Sequence, residues 1–221
     1  MDRREFIGGA SGISMVLALP AITPRQAKAS ELPADLTSMS ASVLSAAIRQ
    51  RHVTCKEVMH SYLARIHRYN PAYNAIINMV DDDLLIDEAE RADRELDRGE
   101  YRGWLHGMPL AVKNLNHVKG MPTSFGSPIF VGQVAPQDSL MVERMRAAGA
   151  LFIGKTNTPE FGMGSQTYNP VHGSTGSAYD SSLTAGGSSG GAACGLASHT
   201  LPVADGSDMM GSLRNPAAFN N

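Results

Sequence analysis

The chain has 221 residues, 43% apolar and 18% charged, with a formal net charge of −2. It is long enough to bury one sizeable core, and the near-balance of charge gives no basic block to meet a nucleic acid. Two cysteines, Cys55 and Cys194, form neither a CxxC nor a disulfide framework, and the histidines make no HxxxH or HExxH, so no metal and no cofactor are expected.

Residues 1–29 are set aside as a targeting segment. Arg3-Arg4-Glu5-Phe6-Ile7, a moderately apolar stretch to Ile22 and Ala27-Lys28-Ala29 resemble a twin-arginine export signal with an A-x-A cleavage site. Export of the folded protein to the periplasm or medium is the expectation, with no stable membrane anchor after cleavage. The competing reading is an ordinary amphipathic N-terminal helix.

Residues 30–221 are then expected to form part of one domain. Residues 41–51 and 55–69 read as helices, the second opened by a Thr54/Glu57 capping box with Cys55, Val58, Met59, Tyr62 and Ile66 at helical spacing. Asn74–Val80 reads as a short strand. Asp83–Arg98 reads as a charged helix with Leu84, Leu85 and Ala92 turned inward. Pro109–Val112 and Leu151–Gly154 read as buried strands flanking a helix over 139–148. From Gly162 to Gly191 the chain is rich in Gly, Ser, Thr and Asn without hydrophobic period, which points to a functional loop or to disorder. A helix over 192–198, a strand over Leu201–Ala204 and a helix after Ser212 close the chain.

Three features compete for the chemistry. The block Gly186-Gly187-Ser188-Ser189-Gly190-Gly191 satisfies G-x-S-x-G, the nucleophile elbow of esterases, but the polar Ser181–Ala185 before it does not suit the buried strand an elbow needs. Gly149–Thr156 spells a phosphate loop, G-x-x-x-x-G-K-[ST], yet Leu151-Phe152-Ile153 is itself a strand and Pro159 follows closely. Lys155 is therefore expected to be a polar residue at a strand end. The third feature is a set: Lys113 at the end of an apolar strand, the Gly/Ser block, and Asp208-Met209-Met210-Gly211-Ser212-Leu213-Arg214 before a helix. A lone strand-end lysine is usually solvated and a lone serine before a helix is usually an N-cap. Their order and spacing together are specific.

These segments resemble the amidase signature family over roughly residues 36–220. Gly107–Asn114, Gly154–Gly162 and Asn169-Pro170 look like its other segments. The resemblance implies an α/β fold, an α/β/α sandwich around a mixed sheet, and a Ser-cisSer-Lys triad of Lys113, Ser188 and Ser212. The Gly187–Ser188 peptide would be cis. It further implies an amidase that cleaves a small-molecule carboxylic amide or ester, with Ser212 as nucleophile and Ser188 relaying its proton to a neutral Lys113. The backbone amides of Met209, Met210, Gly211 and Ser212 would form the oxyanion hole. Gly162 would lie beside the substrate, Ser189 would order its loop, and Asp208 with Arg214 would brace the turn. Met210 departs from the family's first glycine, Ala185 from a frequent proline and Asn114 from a frequent aspartate. Family domains are about twice this length, so the chain is expected to be an N-terminal half with little activity alone. The substrate and the oligomeric state, a homo-oligomer included, stay open.

Overall fold

The computed structural model describes residues 33–221. The export-signal reading of residues 1–29 falls outside the described residues.

Helix α1 (Ala41–Arg49) starts at Ser40, whose hydroxyl accepts the Val43 N–H. Helix α2 (Cys55–Tyr73) starts at Thr54 with the expected reciprocal cap: Glu57 N donates to Thr54 Oγ1 and Thr54 N donates to Glu57 Oε2. The helix runs four residues past its expected end at Tyr69, through Pro71, and stops at Asn74 in the left-handed region (φ 51°). Only Ile76–Ile77 then pair as a strand, β1, a shorter element than Asn74–Val80. Asn70 supplies the reason: its Oδ1 accepts the Ala75 and Ile76 amides and its Nδ2 donates to Ile76 O, turning the chain immediately after the helix.

Helix α3 (Asp82–Asp97) buries Leu85, Ala89 and Ala92, but Leu84 faces outward at 58% exposure, a correction to the expected apolar face. Strands β2 (Pro109–Lys113) and β3 (Leu151–Thr156) are buried at every position and run parallel, joined through α4 (Leu140–Ala147). β1 pairs antiparallel with β3, giving the mixed order β1-β3-β2. The expected strand at Leu201–Ala204 is reduced to one parallel bridge, Ala111 to Ala204, which lays the segment leading to Asp205 beside β2.

Between Gly162 and Ser189 the regular pairing is limited to two two-residue strands, β4 (Tyr168–Asn169) and β5 (Gly173–Ser174), and one antiparallel bridge, Gly176 to Thr184. Asparagine side chains replace a ladder there. Asn169 Nδ2 donates to Asn157 Oδ1 and Thr158 O, both at 2.8 Å, and Asn74 Nδ2 donates to His172 O and Ser174 O. The loop is a built structure, its buried amides bonded as burial requires.

Helix α5 (Gly190–Ala197) packs across all three strands, whereas α2 and α3 pack together and reach β2 and β3, the α/β/α sandwich that was expected. Gly191 makes the approach of α5 feasible: a Cβ there would lie 2.4 Å from Asn157 N and 2.5 Å from Ala75 O. Helix α6 (Arg214–Asn220) packs on α5, and its Asn220 Nδ2 donates to Ala185 O.

Candidate active site

Lys113 closes β2, fully buried, beneath the loop that precedes α5. Its Nζ lies 2.8 Å from Ser188 Oγ, 2.8 Å from Ser189 Oγ and 2.9 Å from Ser207 Oγ. All three partners are hydroxyls, which accept or donate equally well. A neutral amine has two N–H bonds and one lone pair, so it satisfies three hydroxyls with two donations and one acceptance. Burial penalises the ammonium form and brings the Lys113 pKa down to about 8, against weaker opposing pulls from Asp205 and Asp208.

The Gly187–Ser188 peptide is cis. Thr158 Oγ1 donates to Ser188 O at 3.0 Å, tying this serine to the end of β3. Ser189 N donates to Ser212 O at 3.1 Å, so the two serine-bearing loops are joined through the backbone. Ser188 and Ser212 line one cleft of about 610 Å³ with Leu115, Phe161, Met209 and Met210. Ser212 Oγ makes no hydrogen bond to Ser188 Oγ here. The structure thus brings lysine and first serine into contact and places Ser212 on the same cleft without closing the second contact. Such links commonly tighten only when substrate is bound.

The 208–214 turn is organised by Asp208. Its carboxylate accepts the backbone amides of Gly211 (2.7 Å), Leu213 (3.2 Å) and Arg214 (3.4 Å). The Arg214 guanidinium meets it with Nε and one terminal nitrogen, each at 3.0 Å, the bracing pair expected from sequence. These bonds, the Arg214 pairing first, hold the Asp208 carboxyl well below its ordinary range. Gly211 is thereby corrected as an oxyanion donor, because its N–H is engaged by Asp208. The amides of Met209, Met210 and Ser212 have no acceptor among the described residues. The Gly162 amide is likewise used, donating to Pro159 O at 2.8 Å, and this glycine contributes wall to the cleft rather than a free donor.

Two decoys resolve. No strand directly precedes Ser188, as an elbow would need, and Gly149–Thr156 forms a turn and then strand β3 instead of a phosphate loop. Lys155 stands next to last in β3, near the strand end as expected, and is completely buried there, its Nζ donating to Asn116 O and reaching Thr123 Oγ1 at 3.5 Å. Burial also brings its pKa to about 8.

Sequence reasoning missed Ser207, the third hydroxyl on Lys113, and Asp205, a buried carboxylate whose Oδ1 accepts the Lys113 backbone amide at 2.8 Å. The available signal was an acid directly after the apolar Leu201–Ala204. Asn114, which stands where the family often has aspartate, donates through Nδ2 to Ser124 Oγ at 3.0 Å, while its Oδ1 is buried without a partner.

A buried lysine shared among serines at the edge of a mixed α/β sheet, beside an apolar-walled cleft, defines the class structurally. The chain belongs to the amidase family, the amidase signature group, whose family description matches residues 57–221. It is 42% identical over 184 residues to a glutamyl-tRNA(Gln) amidotransferase subunit of Acidothermus cellulolyticus, covering 83% of this chain and 36% of that protein. It is 38% identical over 185 residues to an acylamidase of Rhodococcus erythropolis, covering 84% of this chain and 39% of the relative. The fold superposes on native peptide amidase from Stenotrophomonas maltophilia with a TM-score of 0.76 and 34% identity, covering 83% of this chain and 39% of that one. The chain therefore spans well under half the length of these relatives.

Proposed function

We propose that these residues form the Lys-Ser-Ser part of an enzyme that hydrolyses carboxylic amides through an acyl-enzyme on Ser212. The observation that carries this reading is the fully buried Lys113 Nζ, in contact with three hydroxyls and no carboxylate. The acylamidase and peptide amidase names of the relatives support the amide class.

An amide is a weak electrophile with a basic leaving nitrogen, so the reaction needs an activated nucleophile and a proton for that nitrogen. Ser212 Oγ attacks the carbonyl carbon. Its proton moves to Ser188 Oγ as the Ser188 proton moves to Lys113 Nζ. The free amides of Met209, Met210 and Ser212 meet the developing oxyanion, where losing one donor typically costs about 2.7–4 kcal/mol. The C–N bond then breaks, the amine leaving with a proton returned through Ser188 from Lys113. Water repeats the sequence on the ester, freeing the acid and Ser212.

The amidotransferase relatives favour a second reading, in which the amide nitrogen passes to a glutamyl-tRNA. The export segment read at residues 1–29 speaks against that role. We propose twin-arginine export, which replacement of Arg3 and Arg4 by lysine should block. Low activity of residues 1–221 alone is also proposed, supported by exposed Met209, Met210, Leu213 and Phe219 around the site. The test is a panel of anilides, peptide amides and glutamine, run on the full-length amidase domain and on 1–221. Lys113→Ala should abolish turnover, and neither the unsubstituted protein nor Lys155→Ala should bind ATP. Full turnover by Lys113→Ala would overturn the reading.

A further inference from the structure

Beside the site lies a second buried amine that the mechanism does not use. Lys155 lies one strand over from Lys113, opposite Val112 in the β2–β3 register, and is as deeply buried. The two lysines have different surroundings. Lys113 Nζ sees only hydroxyls, which suit either protonation state. Lys155 Nζ donates to the Asn116 carbonyl, an acceptor that can never return a proton. Asn116 continues the line: its Nδ2 donates to Asp205 Oδ2 at 3.1 Å, and Asp205 Oδ1 accepts the Lys113 backbone amide at 2.8 Å. One buried carboxylate, its own pKa raised by burial, thus acts on both buried amines: it is linked by hydrogen bonds to Lys155 through Asn116, and to Lys113 only through the main chain.

We propose that Asp205 and Lys155, joined through Asn116, are a buried charge pair that positions Lys113 and favours retention of the proton on Lys155, so that Lys113 is the first of the two amines to become a neutral proton acceptor as pH rises. Asp205 and Asn116 are positioning residues, since neither touches Lys113 Nζ. The charge count supports the division. A lone carboxylate stabilises one buried ammonium, and a second would stand uncompensated at high cost. Asp208 is the other carboxylate acting on Lys113, and it is engaged by Arg214. Groups whose surroundings push their proton affinities apart are how one site holds an acid and a base together. The inference rests on the proposed function only where it names Lys113 as the base.

The test reads protonation directly. The sequence holds five lysines, so the ¹³Cε resonances of ¹³C-lysine protein give a sparse spectrum that needs no turnover. In the unsubstituted protein, both midpoints should lie well below the ordinary lysine value, and that of Lys113 should be resolved below that of Lys155. In Asp205→Asn, which keeps an acceptor for the Lys113 amide, the Lys155 midpoint should fall by about a unit and the Lys113 midpoint by less. Equal or reversed order in the unsubstituted protein overturns the proposal whether or not the variant folds. So does an Asp205→Asn protein in which Lys155 does not move. A protein with the expected order but no amide turnover would keep this pair and refute the proposed function.

Discussion

Lys113 Nζ lies 2.8 Å from Ser188 Oγ with no carboxylate in contact with the amine. Because burial holds the Lys113 pKa near about 8, the lysine is protonated at neutral pH in most molecules and free to accept a proton above that value. Amide kcat/KM should therefore rise with pH through about 8 and fall about tenfold for each unit below it. A rate profile flat down to pH 6 would contradict the assignment.

The same burial has a stability cost. A lysine whose folded pKa is about 8 and whose ordinary value is 10.5 penalises the fold fully below about 8, and the penalty fades as pH rises to 10.5. Lys113→Met should be inactive yet more stable at pH 7, by roughly 1–3 kcal/mol, with the gain vanishing near pH 10.5. Urea unfolding at the two pH values measures this. A destabilised variant at pH 7 would mean that the three hydroxyl contacts outweigh desolvation.

Asp208 and Arg214 form an ion pair, but their contributions differ. Arg214 is largely exposed, and pairs of that kind contribute about 0–1 kcal/mol. Asp208 also accepts three backbone amides that shape the turn carrying Met209 to Ser212. Asp208→Ala should lower kcat by roughly 10²-fold with little change in KM, as for a lost oxyanion donor. Arg214→Ala should lower it much less. Equal losses in steady-state assays would place the function in the ion pair itself.

Met210 projects into solvent at the cleft mouth, 87% exposed, where the family pattern has glycine. Since it buries almost nothing, Met210→Gly should leave the melting temperature nearly unchanged while raising kcat/KM for bulky acyl groups relative to acetyl. Unchanged selectivity across an acyl series would show that this side chain does not bound the acyl site.

Local signals carried the framework. The Thr54/Glu57 box and the apolar runs around Lys113 and Leu151 rest on near-neighbour residues and appear in the structure, and the motif spacing that singled out Lys113 and Ser188 matches their contact. What escaped depends on contacts across the fold. Lys155 looks like a strand-end charge until Asn116 and Thr123 close over it. Leu201–Ala204 has strand composition but finds one bridge partner, Ala111. Asp205 meets Lys113 across ninety-two residues of chain, which no local pattern encodes. Gly211 reads as a free donor because the reach of Asp208 back into its own turn cannot be seen in spacing alone.

The most direct test traps the nucleophile. A fluorophosphonate should label Ser212, identified by peptide mass mapping, at a rate that rises through pH 8 and nearly disappears in Lys113→Ala. A label on Ser188 or Ser189, or a Lys113→Ala protein that reacts as fast as the unsubstituted one, would contradict the proton path from Ser212 through Ser188 to Lys113.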